Sequence, residues 1–464
     1  MRVLLVSTYE LGHQPLSVAG AAGALRAAGH EVRCADIAAK PIDPADVDWA
    51  QRAALSVPMY TAMRLALEVA RVIRRHKPAI PLCYFGLYAA AAGDLPSESP
   101  SDAAIAGEYE AGLASWAGGG PAGPRVALAR LDNPTPDRTG LAPLDAYARL
   151  SAGGEERLVG SVAASRGCSH RCRHCPVPVV YDGRVRPVEA AKVLADIDAL
   201  VVNGARHINF ADPDFFNSPR HSARVLASFA DRHPDVSFDA TIKVEHILRH
   251  RDMLCLLAGA RCAFVVSAFE STSDRILGIL DKGHTSSDAS RAVKALREYG
   301  IEIRPSWLPF TPWTTLRDLV DLLDFVIAHD LVDNVDPVQY SIRLLVPEGS
   351  LLLANEAIQS HVTGYDPAVI GWSWAHPEPA IDELQLTVAG IVESGIGDAP
   401  RETFERIDAA IRATAGDASS RPTLGAVSQG PMGHRARLSE PWFCCSEPTQ
   451  SQLVALGGQS SKAG

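Results

Sequence analysis

No apolar stretch in the 464 residues approaches the roughly 20 that a membrane helix needs, which predicts a chain with no membrane partner. The opening run Met1-Arg-Val-Leu-Leu-Val-Ser-Thr is too short for a signal peptide and reads as a first strand, so a cytoplasmic protein is expected. An excess of positive charge is missing as well. The 44 basic residues stand against 54 acidic ones, a formal net of −10, and this excludes a nucleic-acid partner that needs a basic face. No repeat of fixed period is present, which excludes solenoid architectures. What remains is a near-average apolar content of 47%, enough for a globular chain of two or three domains.

Cysteine is where the chemistry concentrates. Three of the nine fall in Ser165-Arg-Gly-Cys168-Ser-His-Arg-Cys172-Arg-His-Cys175-Pro176, with three and then two residues between them. Three thiolates at this spacing can ligate three irons of a 4Fe-4S cluster and leave the fourth iron without a protein ligand. The alternative is a zinc site completed by His170 or His174. The basic run Arg166 to Arg173 reads as an electrostatic setting for an anionic group. Cys34, Cys83, Cys255 and Cys262 lie in apolar contexts that favour buried, reduced thiols. Cys444 and Cys445 are adjacent in a Pro- and Gly-flanked segment, where they can close a vicinal disulfide or jointly grip a soft ion or substrate sulfur.

The loop with its Ser-Arg-Gly and its Pro176 resembles the cluster loop of the radical S-adenosylmethionine (SAM) superfamily. That resemblance implies that SAM chelates the open iron of a cluster held by Cys168, Cys172 and Cys175. It also implies reductive cleavage of SAM to a 5′-deoxyadenosyl radical, a small-molecule substrate, and an electron donor such as flavodoxin or ferredoxin.

Strand and helix patterns alternate over residues 1–103, with strands at Arg2 to Ser7, Glu31 to Asp36, Ala53 to Val57 and Ile80 to Phe85, and helices at Ser17 to Ala28 and Thr61 to His76. Such alternation predicts an α/β fold with a parallel, doubly wound sheet. Residues 104–154 are rich in Ala, Gly, Pro and Asp and read as a linker. From 155 to 375 strand–helix repeats resume, as in an incomplete parallel (β/α) barrel. Residues 376–464 read as a helical patch followed by a flexible tail bearing the paired cysteines.

The first hundred residues are similar to the cobalamin-binding, Rossmann-like domain that precedes many radical SAM barrels. The likeness rests on Ala28-Gly-His-Glu-Val32, Leu55-Ser56-Val-Pro-Met-Tyr60 and Tyr84-Phe-Gly86-Leu-Tyr-Ala89. It implies that the turns around Ser56 and Gly86 flank a corrin and its nucleotide tail. The Asp-x-His-x-x-Gly loop that supplies a cobalt ligand is missing. His13 reads as a surface or loop residue, and a scaffold without cobalamin is the alternative.

In a parallel barrel the functional groups gather at the C-terminal ends of strands. The second strand ends at Asp212 and Asp214, which either accept from the SAM ammonium or cap the next helix. The third offers Thr241 and Lys243. The fourth ends at Glu270-Ser271 with Lys282-Gly283 downstream, which resembles a family segment whose glutamate faces the SAM pocket. Arg304 on the fifth strand suits a carboxylate of SAM or substrate. Arg343 lies on an expected sixth strand, Val338 to Ser350, and both arginines could instead pair with structural carboxylates.

Phe310-Thr-Pro-Trp313, Arg343-Leu-Leu-Val-Pro347 and Pro441-Trp-Phe-Cys444-Cys445-Ser-Glu-Pro448 resemble the group called CUAEP/CCAEP-tail radical SAM proteins, with Ser446 in place of the alanine. Cys444 and Cys445 are then expected at the barrel mouth, assisting turnover, with Trp442 and Phe443 docking the tail. The competing class is a non-catalytic redox or metal-handling protein.

Overall fold

The computed structural model describes residues 1–94, 101–130, 132, 134–416, 435–440, 444–449 and 452. Strands β1 (Arg2–Ser7), β2 (Glu31–Asp36), β3 (Arg52–Ser56), β4 (Leu82–Phe85), β5 (Ala103–Gly107) and β6 (Val126–Ala127) form one parallel sheet in the order β2-β1-β3-β4-β5-β6. Val3 to Val6 of β1 are wholly buried, as a central parallel strand covered on both faces requires. Helix Tyr60–His76 lays Leu65, Ala66, Val69 and Ile73 on the sheet and ends in Arg74, Arg75 and His76, cations suited to a helix C-terminus.

The expected linker is corrected by this sheet. Residues 104–154 supply β5, helix Glu110–Ala117 and β6 to it. Their small residues serve close packing rather than flexibility. A Cβ at Gly107 would come 2.2 Å from the Ala127 carbonyl oxygen, and one at Gly112 2.6 Å from that of Ala122.

A second sheet begins with β7 (Arg149–Ala152) and β8 (Glu155–Val162). Next comes a hairpin of β9 (Ser165–Gly167) and β10 (Val185–Pro187), then β11 (His207–Phe210), β12 (Ser237–Thr241), β13 (Cys262–Glu270) and β14 (Glu302–Trp307). A separate hairpin, β15 (Val362–Asp366) and β16 (Gly371–Trp374), precedes helices Pro379–Ser394 and Pro400–Ala415, and β17 (Arg437–Leu438) follows them. The second sheet runs β14-β13-β12-β11-β8-β7-β17, with β8 and β11 to β14 parallel and the last two antiparallel. It curls until its edges approach one another: Arg304 of β14 donates to the Ala436 carbonyl beside β17 at 3.3 Å.

Phe210, Phe229 and Phe238 meet edge to face beneath the parallel strands, with ring centres 5.6 to 6.4 Å apart. The expected sixth strand is not formed. Residues Pro337–Ser341 make a 3-10 turn, and only Phe310 and Arg343 bridge in parallel. The tail is corrected in part, because residues 435–440 join the sheet through β17. Trp442 and Phe443 lie outside the described residues. Cys34, Cys83 and Cys262 are buried as expected, whereas Cys255 is exposed. Among the described residues no helix is long and apolar enough to cross a membrane.

Candidate active site

The C-terminal ends of both sheets open onto one cavity of about 1110 Å³. The first sheet contributes the loops after β1, β3, β4 and β5, including His13, Tyr60, Tyr88 and Glu108. The second contributes Asp212, Thr241, Glu270 and Trp307 together with His174 and Cys175 of the cluster loop. Single functional groups are thus carried by the strand ends and the loops that follow them in an α/β frame, where such groups usually sit.

The cluster loop follows β9. Cys172 is buried, and Cys168 and Cys175 are half-buried. Burial raises the Cys168 thiol and pushes Cys175 up to about 12, and the neighbouring thiols add to both shifts. Backbone N–H groups of His170 and Val177 favour the thiolates of Cys168 and Cys175 respectively. Three free thiols on one loop, with backbone N–H donors to two of them, fit an iron–sulfur cluster, whose irons would supply the missing positive charge. The two histidines do not complete a zinc set with them. His174 Nε2 lies 3.1 Å from Glu270 Oε1, and His170 stands between Lys243 Nζ (2.9 Å from Nδ1) and His246 Nε2 (3.2 Å from its own Nε2). Nor is the basic run free, since Arg166 pairs with Glu110 at 2.5 Å.

Asp212 is buried at the mouth, but its oxygens accept from the Ser165 hydroxyl (2.5 Å) and the Ala164 N–H (2.9 Å), so it ties β11 to the segment entering the cluster loop. Burial pushes its carboxyl up to about 7. Asp214 takes the capping alternative. Its Oδ1 accepts from Phe216 N–H at the start of the 3-10 turn Phe215–Asn217, and its Oδ2 lies 2.7 Å from His246 Nδ1. Ser271 accepts from Ser273 N–H through its hydroxyl at 3.1 Å.

Glu270 lines the cavity from a left-handed backbone position, φ 63°. Although burial works to raise it, the Lys282 ammonium and the His174 imidazole hold its carboxyl well below the usual range. Arg304 and Arg343 both take the ion-pair alternative, on Asp336 and Asp382 respectively. Asp336, absent from the sequence reading, lies at the start of the 3-10 turn that replaces the sixth strand.

On the first sheet, Gly86 adopts φ 115°, and a Cβ there would meet the Val57 carbonyl carbon at 3.0 Å. Glycine is therefore required where the turn presses on β3. Ser56 is buried, and its hydroxyl has no hydrogen-bond partner among the described residues. His13 lies in the loop after β1, as expected, but not at the surface: it is buried, lines the cavity, and burial holds it down to about 4.

Cys444 and Cys445 also line the cavity, with sulfurs 3.6 Å apart. Their segment is fastened to the start of helix Tyr60–His76. The Thr61 hydroxyl donates to the Ser446 carbonyl at 2.7 Å, and Arg64 pairs with Glu447 at 2.6 Å. These anchors were missed in the sequence, where Thr61 and Arg64 signal only a helix start.

A parallel sheet curled toward a cavity, with a three-cysteine loop beside it, defines an α/β frame that carries free thiols at one mouth. Residues 162–326 match the family model described as the Radical SAM superfamily, and the chain carries a domain of that superfamily. Such a domain implies SAM and a 4Fe-4S cluster. The chain is 24% identical over 225 residues to an uncharacterized methyltransferase of Pyrococcus horikoshii, across 48% of this chain and 47% of that protein. It spans less than half the length of the curated relatives it matches.

Two solved structures share its fold across most of its length. The cobalamin-dependent SAM radical enzyme OxsB, with aqua-cobalamin and SAM bound, superposes with a TM-score of 0.67 at 14% identity, over 89% of this chain and 71% of that one. The radical SAM methyltransferase TsrM from Kitasatospora setae, with cobalamin and a [4Fe-4S] cluster bound, gives 0.63 at 17% identity, over 92% of each.

Proposed function

We infer that this enzyme binds a 4Fe-4S cluster through Cys168, Cys172 and Cys175 and acts on a small molecule seated in the cavity between its two sheets. When bound, the cluster would supply the electron that cleaves SAM to methionine and a 5′-deoxyadenosyl radical. The reading is carried by one observation: the thiol loop and the strand-end turns of the first sheet face the same cavity. Cobalamin would sit against residues 1–127, on the turns that follow Ser56 and begin at Gly86, where Pro58, Met59, Gly86 and Leu87 wall the cavity; Ser56 itself is buried and is not part of that wall. The barrel half comprises residues 155–375 completed by β17.

Methyl transfer is the reaction class we favour. In its support, the relatives include proteins named as a methyltransferase and a hopanoid C-2 methylase, and the similar structures include a methyltransferase with cobalamin bound. Within that reaction Asp212 orients the loop entrance, Glu270 fixes His174 beside Cys175, and Cys444 and Cys445 close the cavity as a thiol pair available to substrate. The electron is expected from a flavodoxin or ferredoxin in the cytoplasm.

Anaerobic reconstitution tests this directly. The protein should take up about four irons, form 5′-deoxyadenosine from SAM under reduction, and retain hydroxocobalamin in equilibrium dialysis. Zinc in place of iron would overturn the cluster, and loss of all cobalamin at tens of micromolar would leave the first sheet a scaffold.

A further inference from the structure

One charged side chain beside the cluster loop has no place in the reaction outlined above. The last turn of helix Asp274–Leu280 is bonded to the cysteine loop at Arg173, which lies between Cys172 and His174. Arg173 N–H donates to the Leu280 carbonyl at 2.9 Å, and its guanidinium donates to the carbonyls of Ile279 (2.8 Å) and Gly278 (3.3 Å). Lys282 closes this turn. Its side chain is 5% exposed, and its ammonium lies 3.1 Å from Glu270 Oε1, the oxygen that also meets His174.

Burying an ammonium costs several kcal/mol unless negative charge surrounds it. Glu270 supplies that charge at 3.1 Å: burial works against the ammonium, but the carboxylate holds Lys282 above its ordinary value. The left-handed backbone of Glu270 holds the carboxylate in place. The geometry is therefore a fixed cation and a fixed anion, joined by one ion pair and tied to the three-cysteine loop through His174 and Arg173.

We propose that Lys282 is a positioning residue that sets the electron affinity of the cluster, with Glu270 as its opposing charge. This rests on the cluster assignment made above. Reduction adds one electron from an external donor and breaks no bond. The reduced cluster carries one more negative charge than the oxidised one, so a fixed cation nearby favours it, in proportion to the product of the charges. A fixed anion does the reverse. The buried position keeps solvent and salt from screening either effect.

The test is an EPR-monitored redox titration of the reconstituted protein without SAM, with iron content measured alongside. Lys282→Gln should shift the reduction equilibrium at least tenfold toward the oxidised form, about 59 mV for one electron. Lys282→Arg should recover most of it. Glu270→Gln should shift the equilibrium in the opposite direction, an outcome that general loosening of the loop would not give. Two shifts of the same sign, or no shift in either variant at full iron content, would overturn the proposal. If Lys282→Gln fails to load iron, Glu270→Gln decides alone, since an unmoved or lowered potential there sinks it. A wild-type protein that takes up no iron defeats the cluster assignment itself, a distinct result.

Discussion

Arg304 sets a single nitrogen, Nη2, 2.8 Å from both carboxylate oxygens of Asp336. This arginine on a strand that faces the cavity is thus already matched, and its other terminal nitrogen reaches the Ala436 carbonyl. Arg304→Ala should lower stability by about 2 kcal/mol, because it removes the nearer of two cations from a mostly buried carboxylate and leaves only Arg437 Nε, 3.5 Å from Asp336 Oδ1. Chemical denaturation would measure it, and the Arg304→Ala, Asp336→Ala double variant should regain part of the loss. Weakened SAM binding with unchanged stability would return Arg304 to the cofactor.

Replacing any one of Cys168, Cys172 and Cys175 by alanine should abolish SAM cleavage. The protein should stay folded, since only Cys172 is buried. Iron content, visible absorbance and 5′-deoxyadenosine formation read the effect together, and SAM cleavage surviving in any single variant would remove that cysteine from the ligand set.

The paired thiols behave differently in this scheme. A hydrogen bond with Cys444, and burial, push the Cys445 thiol well up, so it rests as a neutral S–H. Cys444→Ser and Cys445→Ser should keep the cluster and uncoupled SAM cleavage while losing product on the true substrate. Full turnover by the double variant would separate these thiols from the reaction, and loss of iron would recast them as ligands.

Acid–base behaviour offers a further check. Burial pushes the carboxyls of Asp212 and Glu10 up to about 7, from 3.8 and 4.5. Both groups hold their protons to higher pH in the folded state than in the unfolded chain. Their contribution to stability is therefore present below about pH 4 and is lost as pH rises through about 7. For Asp212 this loss is at most about 4 kcal/mol. Melting temperatures of Asp212→Asn followed from pH 4 to 8 should fall less steeply than those of the parent, and parallel curves would contradict the assignment.

The cluster loop was legible in the sequence because its ligands are neighbours along the chain, and the strands because apolar runs alternate with helical periods. What stayed hidden depends on distant partners. Nothing near Arg304 announces Asp336, 32 residues later. Alanine and glycine between residues 103 and 127 have the composition of a linker, and only the close approach of β5 to β6 shows why they are small. His13 belongs to a loop whose burial comes from the opposing barrel, so no local pattern reveals it. The two residues of β17 are too few to register as a strand at all.

That short strand has a consequence for how the molecule assembles. Arg149 and Ser439, 290 residues apart, share hydrogen bonds where β7 meets β17. Contacts of such separation carry a large loop-closure cost and form late. Until they form, β7 is a bare edge with unpaired amides, the kind of surface that recruits other chains. A truncation ahead of residue 435 would leave that edge open permanently, so shortened forms should aggregate during refolding even though every cluster ligand and the whole parallel sheet are still encoded.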